Sequence, residues 1–337
     1  MTDNLIKDIL FVDLTKIKKI LIIRLSSLGD ILLTTPLLRS VKKQYPGTDI
    51  DFLVKEEYKD VILFNPYINR VFTYNEREGL IEQLTEAGYD LVIDLQNNIR
   101  SRRITGRLKA PAKRFSKRSV DKFLLVNFKI NKLREAPPIP VRYASTIPGF
   151  HLDEEGLDLV ISDNIKSQIT FDKKNIGFAP GARHFTKMWP KEYYIELGIR
   201  LGREGYKIFL FGGKDDRKIC SEIAGPVDYA VDLSNDNNIL QIAADMKNCS
   251  ALICNDSGLM HTACAVKTPV MVFFGSTVRE FGFTPYINKN LILENKLLNC
   301  RPCSHIGRES CPKGHFRCML ELTPQMAFES LLRLLNP

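Results

Sequence analysis

The chain has 337 residues, 44% hydrophobic and 26% charged, with 48 Lys and Arg against 39 Asp and Glu. That length exceeds one ordinary core and fits two domains, and the composition is that of a soluble globular protein rather than a disordered or fibrous one. No apolar run approaches the roughly 20 residues that span a bilayer, and the first 19 residues lack the apolar core of a secretory signal, so a cytoplasmic address is expected.

The first element is the apolar run Ile20-Leu21-Ile22-Ile23, short and β-branched like a buried parallel strand, here read over residues 20–24. Arg24-Leu25-Ser26-Ser27-Leu28-Gly29-Asp30 follows. Residues 30–45 then have helical spacing, with Ile31, Leu32, Leu37, Leu38 and Val41 on the apolar face. Strand, tight turn and helix put the turn at the carboxyl end of a sheet, where open α/β folds bind ligands. An acid there, Asp30, is either a helix N-cap or a catalytic group. Further strands are expected at 49–54, 70–74 and 91–95, with a helix at 78–87, and this alternation argues for a parallel sheet.

Charge is unevenly spread. Residues 1–150 hold 26 basic and 17 acidic side chains, a net of +9, and the remainder 22 of each, a net of zero. Residues 100–134 alone carry 13 basic residues against the single acid Asp121. A stretch so biased is either a solvated face or a surface for a polyanion, and the imbalance favours the partner: nucleic acid, phosphorylated glycolipid or anionic membrane. Ala136-Pro137-Pro138-Ile139-Pro140 marks a loop. Residues 153–171 read as the crossing between domains.

The pattern then restarts, with strands expected at 175–179, 207–211, 251–254 and 270–274 and helices at 191–204 and 239–248. Phe178-Ala179-Pro180-Gly181-Ala182-Arg183, then Lys187-Met188-Trp189-Pro190, places Gly, Arg and Lys ahead of a helix whose Pro190 suits the first helical position. Such a loop is a phosphate site or merely solvated. Phe211-Gly212-Gly213-Lys214-Asp215-Asp216 repeats the strand–glycine logic. Neither loop matches the dinucleotide or P-loop fingerprint. Cys254-Asn255-Asp256-Ser257-Gly258-Leu259-Met260-His261 brings a carboxylate, a hydroxyl, free N–H groups and an imidazole to one helix start, and Phe274-Gly275-Ser276-Thr277 ends the next strand beside them. Capping and a core histidine are the plainer readings of that loop. There is no G-x-S-x-G and no H-E-x-x-H.

Cys300, Cys303, Cys311 and Cys318 are spaced x2, x7 and x6, with His305 and His315 between. Four thiolates make a zinc site in principle, but this is not the two-pair spacing of a zinc ribbon, so free thiols are favoured and no metal is expected. Residues 324–335 read as an amphipathic helix able to pack on either domain.

Four landmarks together resemble glycosyltransferase family 9, and within it the ADP-heptose:lipopolysaccharide heptosyltransferases of the heptosyltransferase II branch. They are Arg24 to Asp30, Pro180-Gly181-Ala182-Arg183 with Lys187-Met188-Trp189-Pro190, Asp256 to His261, and the tail Cys300-Arg301-Pro302-Cys303 to Cys318-Met319. They run in family order over residues 19–325. The resemblance implies an α/β GT-B fold of two Rossmann-like domains facing across a cleft. The acceptor-binding domain is expected over 1–165 and the nucleotide-sugar domain over 166–323, with a final helix at 324–337 packing back on the body.

The same resemblance implies inverting, metal-independent transfer of heptose from ADP-heptose to the lipopolysaccharide inner core, without a cofactor. Asp30 maps to the general base, and Lys187 to the lysine on the donor phosphates. Asp256, Ser257, Gly258 and His261 map to the nucleotide-sugar loop, joined at the donor by Arg183, Gly212 and Gly213. Ser27, Gly29 and Arg100 are assigned to the acceptor. The family's acidic residue near the nucleoside is not transferred to Lys214 or Asp215. The expected partners are ADP-heptose, a core or lipid A-linked acceptor and the anionic cytoplasmic face of the inner membrane. The protein is expected to be a monomer and not to bind nucleic acid. The alternatives are a family 9 enzyme using another sugar nucleotide or glycan acceptor, and a basic nucleic-acid-binding protein, which the scarcity of aromatics in 100–134 disfavours.

Overall fold

In a computed structural model of the chain, which describes residues 14–74 and 79–336, the chain divides into two compact units. One comprises Met1–Lys117 with Ile139–Val160, the other Arg118–Pro138 with Ile161–Pro337. Residues 118–138 thus cluster with the second half of the chain, which their place in the sequence does not suggest. The passage from the first unit to the second at 160–161 falls inside the expected crossing.

The first unit is a five-stranded parallel sheet in the order β3-β2-β1-β4-β5. Its strands are β1 (Lys19–Ile23), β2 (Asp49–Lys55), β3 (Arg70–Tyr74), β4 (Leu91–Asp94) and β5 (Ala112–Arg114). Residues 20–23 and 91–94 are buried throughout, as continuous apolar runs in a sheet covered on both faces must be. The chain winds outward from β1 through β2 to β3, then restarts on the other side with β4 and β5. The order therefore reverses between β1 and β4, and the loops after these strands open at that switch point.

The expected single helix over 30–45 is two helices, α1 (Leu28–Leu32) and α2 (Thr35–Gln44). Pro36, in the first turn of α2, has no N–H to continue the ladder. The hydroxyls of Thr34 and Thr35 donate instead to the Ile31 and Leu32 carbonyls at 2.7 and 2.8 Å. α3 (Leu80–Glu86) and α4 (Ile99–Thr105) follow; residue 78, the expected start of α3, lies outside the described residues, as do residues 1–13 of the amino-terminal stretch read above. α5 (Ser119–Phe128) belongs to the second unit, and α6 (Ile139–Ala144) to the first. The proline-rich loop accordingly ends at Pro138, and Pro140 sits in the first turn of α6, where its missing N–H costs nothing.

The second unit is a six-stranded parallel sheet in the order β11-β10-β9-β6-β7-β8. Its strands are β6 (Asn175–Ala179), β7 (Lys207–Leu210), β8 (Ala230–Asp232), β9 (Ala251–Asn255), β10 (Val270–Phe274) and β11 (Asn290–Glu294). The order reverses again, between β6 and β9. Helices α7 (Lys191–Arg203), α8 (Arg217–Ala224), α9 (Ile239–Met246), α10 (Gly258–Ala265), α11 (Arg317–Leu320) and α12 (Pro324–Leu335) complete it. Of the two packing choices left open for the last helix, α12 takes this unit: Ala327, Phe328, Leu331 and Leu334 join the core formed by Trp189, Tyr194 and Phe273. Trp189 stacks on Phe273 with ring centroids 4.2 Å apart and donates its indole N–H to the Leu322 carbonyl at 2.7 Å. Among the described residues no helix is long and apolar enough to cross a membrane.

Candidate functional site

Each unit gathers polar groups at its switch point. In the first unit, Ser27 is the N-cap of α1, and Asp30 is its third residue. Asp30 is therefore not itself the N-cap, but the acidic member of a capping box. Its Oδ2 accepts from the Ser27 backbone N–H at 3.1 Å and from the Ser27 hydroxyl at 2.8 Å. Its Oδ1 lies 2.5 Å from Nη2 of Arg24 and accepts from the Tyr143 hydroxyl at 3.4 Å.

Burial pushes the Asp30 carboxyl up, but the Arg24 charge and the two Ser27 hydrogen bonds outweigh it and hold the group below the usual carboxylate range. Asp30 is thus ionised at neutral pH, as a base must be. Arg24 is itself buried; its Nη1 donates to the Leu95 carbonyl at 2.6 Å and its guanidinium lies over the Tyr143 ring. Its Nε has no hydrogen-bond partner among the described residues.

At the end of β4, the fully buried Asp94 accepts from Asn97 N–H at 2.7 Å and from the Ser101 hydroxyl at 2.8 Å. Ser101 also closes the N-terminal box of α4 with Asn98. Lys117 feels the same charges: burial, then the nearby Arg24, push its ammonium below the ordinary value. Of the residues assigned to the acceptor, Ser27 is at the edge of this cluster and exposed, and Gly29 is buried inside α1. Arg100 is exposed on α4, one residue before Ser101, and is not drawn to Asp30.

In the second unit, the loop after β6 ends in a 3-10 turn, Phe185–Lys187. Lys187 Nζ lies 2.8 Å from Oδ2 of Asp256, the residue that follows β9. The Thr277 hydroxyl, just beyond β10, donates to the same oxygen at 2.7 Å. Asn255 fixes this register by bridging the two loops: its Oδ1 accepts from Trp189 N–H at 3.0 Å and its Nδ2 donates to the Pro180 carbonyl at 2.7 Å. Ser257 is the N-cap of α10, with a buried hydroxyl that has no hydrogen-bond partner among the described residues; His261 is buried in the first turn. Pro190 is the N-cap of α7 rather than its first helical residue.

Arg183 is exposed, two residues beyond Gly181. Gly181 and Gly212 face Asp216: a Cβ on either would come within 2.5 Å of its side chain. A Cβ on Gly213 would strike Asn237 Oδ1, the acceptor for Lys214 N–H at 3.0 Å. These glycines are therefore used for approach within the unit.

The cysteine tail braces the segment beside this site. Arg301 donates to the carbonyls of Phe274, Gly275, Thr277 and Asn295 and pairs with Glu294, so it clamps the stretch that carries Thr277. Cys300, Cys303, Cys311 and Cys318 line one small cavity with His315, and Cys300 Sγ lies 3.8 Å from His315 Nε2. Among the described residues no group of three or more His, Cys, Asp or Glu side chains is disposed to hold a metal ion.

Arg24, Tyr143, Thr277 and Arg301 were not picked out as site residues from the sequence. Thr277 had a usable signal, its position after the strand next to Asp256. Tyr143 had none, since it arrives 113 residues after Asp30.

The family described as glycosyltransferase family 9 (heptosyltransferase) matches residues 77–313. A lipooligosaccharide heptosyltransferase 2 of Haemophilus influenzae is 27% identical, over 94% of this chain and 99% of its own. The structure of E. coli ADP-heptose lps heptosyltransferase II is 26% identical and superposes with a TM-score of 0.72, over 94% of this chain and 98% of the other. A family 9 glycosyl transferase from Veillonella parvula superposes with a TM-score of 0.77 at 20% identity, over 96% and 99%. The likeness supports the α/β fold class expected above, GT-B.

Proposed function

Because this chain belongs to glycosyltransferase family 9 (heptosyltransferase), we propose that it transfers heptose from ADP-heptose to a hydroxyl of the lipopolysaccharide inner core, with inversion and without a divalent metal. Asp30 takes the proton of the acceptor hydroxyl as that oxygen bonds to the anomeric carbon. The bond from that carbon to the diphosphate breaks on the opposite face, and its electron pair leaves with ADP. Lys187 neutralises charge on the departing diphosphate, and the backbone N–H groups at the start of α10 add donors. Arg183 supplies a second cation from the same loop.

The observation that carries this reading is the Lys187–Asp256–Thr277 cluster at the β6/β9 switch point. It fixes a lysine ammonium at the place where α/β sheets receive nucleotides. Asp256 holds the lysine in place, and Thr277 holds Asp256. General-base assistance by Asp30 is worth about 10²–10⁴-fold in rate.

The basic stretch 100–134 fits the same reading, because an inner-core acceptor on lipid A is anionic and lies in an anionic leaflet. Peripheral, salt-sensitive contact with that membrane follows. The reading is tested by incubating the protein with ADP-heptose and a panel of other nucleotide sugars, together with truncated core acceptors, and weighing the products. A mass increment of one heptose, from ADP-heptose alone, is expected. Transfer only from another nucleotide sugar would replace the donor, and no transfer from any would overturn the reading.

A further inference from the structure

We propose that α5 is an interfacial helix, through which the protein lays an apolar face into an anionic lipid surface. The proposal rests on the membrane contact proposed above and assigns it to particular side chains.

α5 is held down on one side only. Leu125 is buried with Leu133 and Phe281, and Val126 packs against them. The other side also carries large apolar residues, which face out beside the exposed Asn127: Val120, Phe123, Phe128 and Ile130 are 70%, 57%, 61% and 49% exposed. Four large exposed apolar residues within eleven positions are far from the scattered singles normal on a soluble surface. Phe123 and Phe128 meet edge to face at 5.9 Å, so the rings form one ridge. Val120 stands one turn before Phe123 on the same helix face.

The ridge is rigidly presented. Lys129, at the helix end with φ of 61°, donates through Nζ to the carbonyls of Val126, Cys300 and Pro302. Ile130 N–H returns to the Leu124 carbonyl, which folds Ile130 back toward the helix. Lys122 lies over the Phe283 ring and near His305, whose neighbour Ile306 is 55% exposed.

Charge identifies the occupant. Residues 118–138 carry Arg118, Lys122, Lys129, Lys132 and Arg134 against Asp121 and Glu135, and Asp121 is paired with Arg118 at 2.7 Å. Lys132 and Arg134 are exposed in the segment that follows the ridge, and the Lys132 carbonyl accepts from Arg118 at 2.8 Å, which ties that segment to the start of α5. Exposed apolar rings on a segment of net positive charge match the boundary between anionic headgroups and acyl chains, where the rings bury apolar area and the cations meet the headgroups. A soluble anionic partner would use the cations and leave the rings in water.

The test uses the full chain with vesicles of phosphatidylcholine alone or with one third phosphatidylglycerol. Sedimentation is expected to recover the protein with the anionic vesicles at low salt and to lose it as salt rises. The double variant Phe123→Ser, Phe128→Ser is expected to bind at least tenfold more weakly while transferring sugar to a soluble truncated acceptor at the wild-type rate. Trp189 is the only tryptophan and is buried, so Phe123→Trp adds one exposed reporter. Its emission is expected to shift to the blue on anionic vesicles and to be quenched by brominated acyl chains.

Unchanged vesicle binding by the double variant would overturn the proposal, as would an unquenched reporter in bound Phe123→Trp protein. So would self-association through this face with no vesicle binding. Failure of sugar transfer by the wild type, with vesicle binding intact, would instead remove the proposed activity and leave the helix assignment standing.

Discussion

Arg24 Nη2 and Asp30 Oδ1 lie 2.5 Å apart at the switch point of the first sheet. The pair joins the residue just after β1 to the first turn of α1, and Ser27 holds the other carboxylate oxygen. A single short loop thus sets both the position and the ionisation of Asp30.

The pair predicts how activity depends on pH. With Arg24 present, Asp30 stays ionised to below the usual carboxylate range, so its protonation does not limit kcat/KM between pH 7 and pH 5. Arg24→Met removes the charge that lowers the group and leaves the burial that raises it. The acid limb of the kcat/KM profile, which reports the free enzyme, is expected to move to higher pH in that variant. An unmoved limb would separate Asp30 from the titration that governs the rate.

The Lys187–Asp256–Thr277 cluster, proposed to hold the donor, predicts a graded effect on nucleotide binding. Lys187→Ala removes the cation and is expected to weaken ADP binding by at least tenfold, about 1.4 kcal/mol. Thr277→Val removes only the hydrogen bond that steadies Asp256 and is expected to cost less. Isothermal titration with ADP measures both, and equal affinity in all three proteins would remove the cluster from the nucleotide site.

Arg301 predicts a stability effect from the cysteine tail. Arg301→Met leaves four carbonyls without their donor and takes one cation from Glu294, whose side chain is 6% exposed. A loss of about 2–3 kcal/mol is expected, read from the urea unfolding of the chain. A loss under about 0.5 kcal/mol, the size of an ordinary surface substitution, would mean that the tail does not clamp the Thr277 segment.

Asp153 supplies a pH-dependent contribution away from either site. The hydrogen bonds from the buried Arg39 hold its carboxyl at about 2, against the opposing effect of burial. A carboxyl lowered on folding adds stability above its unfolded pKa, near 3.9, and loses it as pH falls through the folded value. Asp153→Asn is therefore expected to be less stable than wild type at pH 7, with the difference closing between about pH 4 and pH 2. A difference independent of pH would exclude the ion pair as its source.

Much of this was legible from residue order, and the exceptions have physical causes. The central strands announced themselves as apolar runs, because a strand buried on both faces has few polar positions. β5, β8 and β11 did not: they are edge strands, two of them only three residues long, with sequences such as Ala-Lys-Arg and Ala-Val-Asp. The candidate residues Asp30, Lys187 and Asp256 stand out in the sequence because each follows a strand and a turn. Their partners were set by packing across the sheet or by distant chain, as with Thr277 and Tyr143. The role of Asp30 in the capping box was missed by three residues, since the helix begins at Leu28, before the glycine rather than after it. The tail was visible as a cysteine pattern, but its clearest contacts are made by Arg301.

The most direct measurement is the turnover of Asp30→Asn with ADP-heptose and a truncated inner-core acceptor, set beside its affinity for ADP. Asparagine keeps the size of the side chain and cannot take the proton. Heptosyl transfer by the wild type, a fall of at least about 10²-fold in kcat for the variant and unchanged ADP binding are expected. Near-wild-type turnover by Asp30→Asn would contradict the role of Asp30 as base.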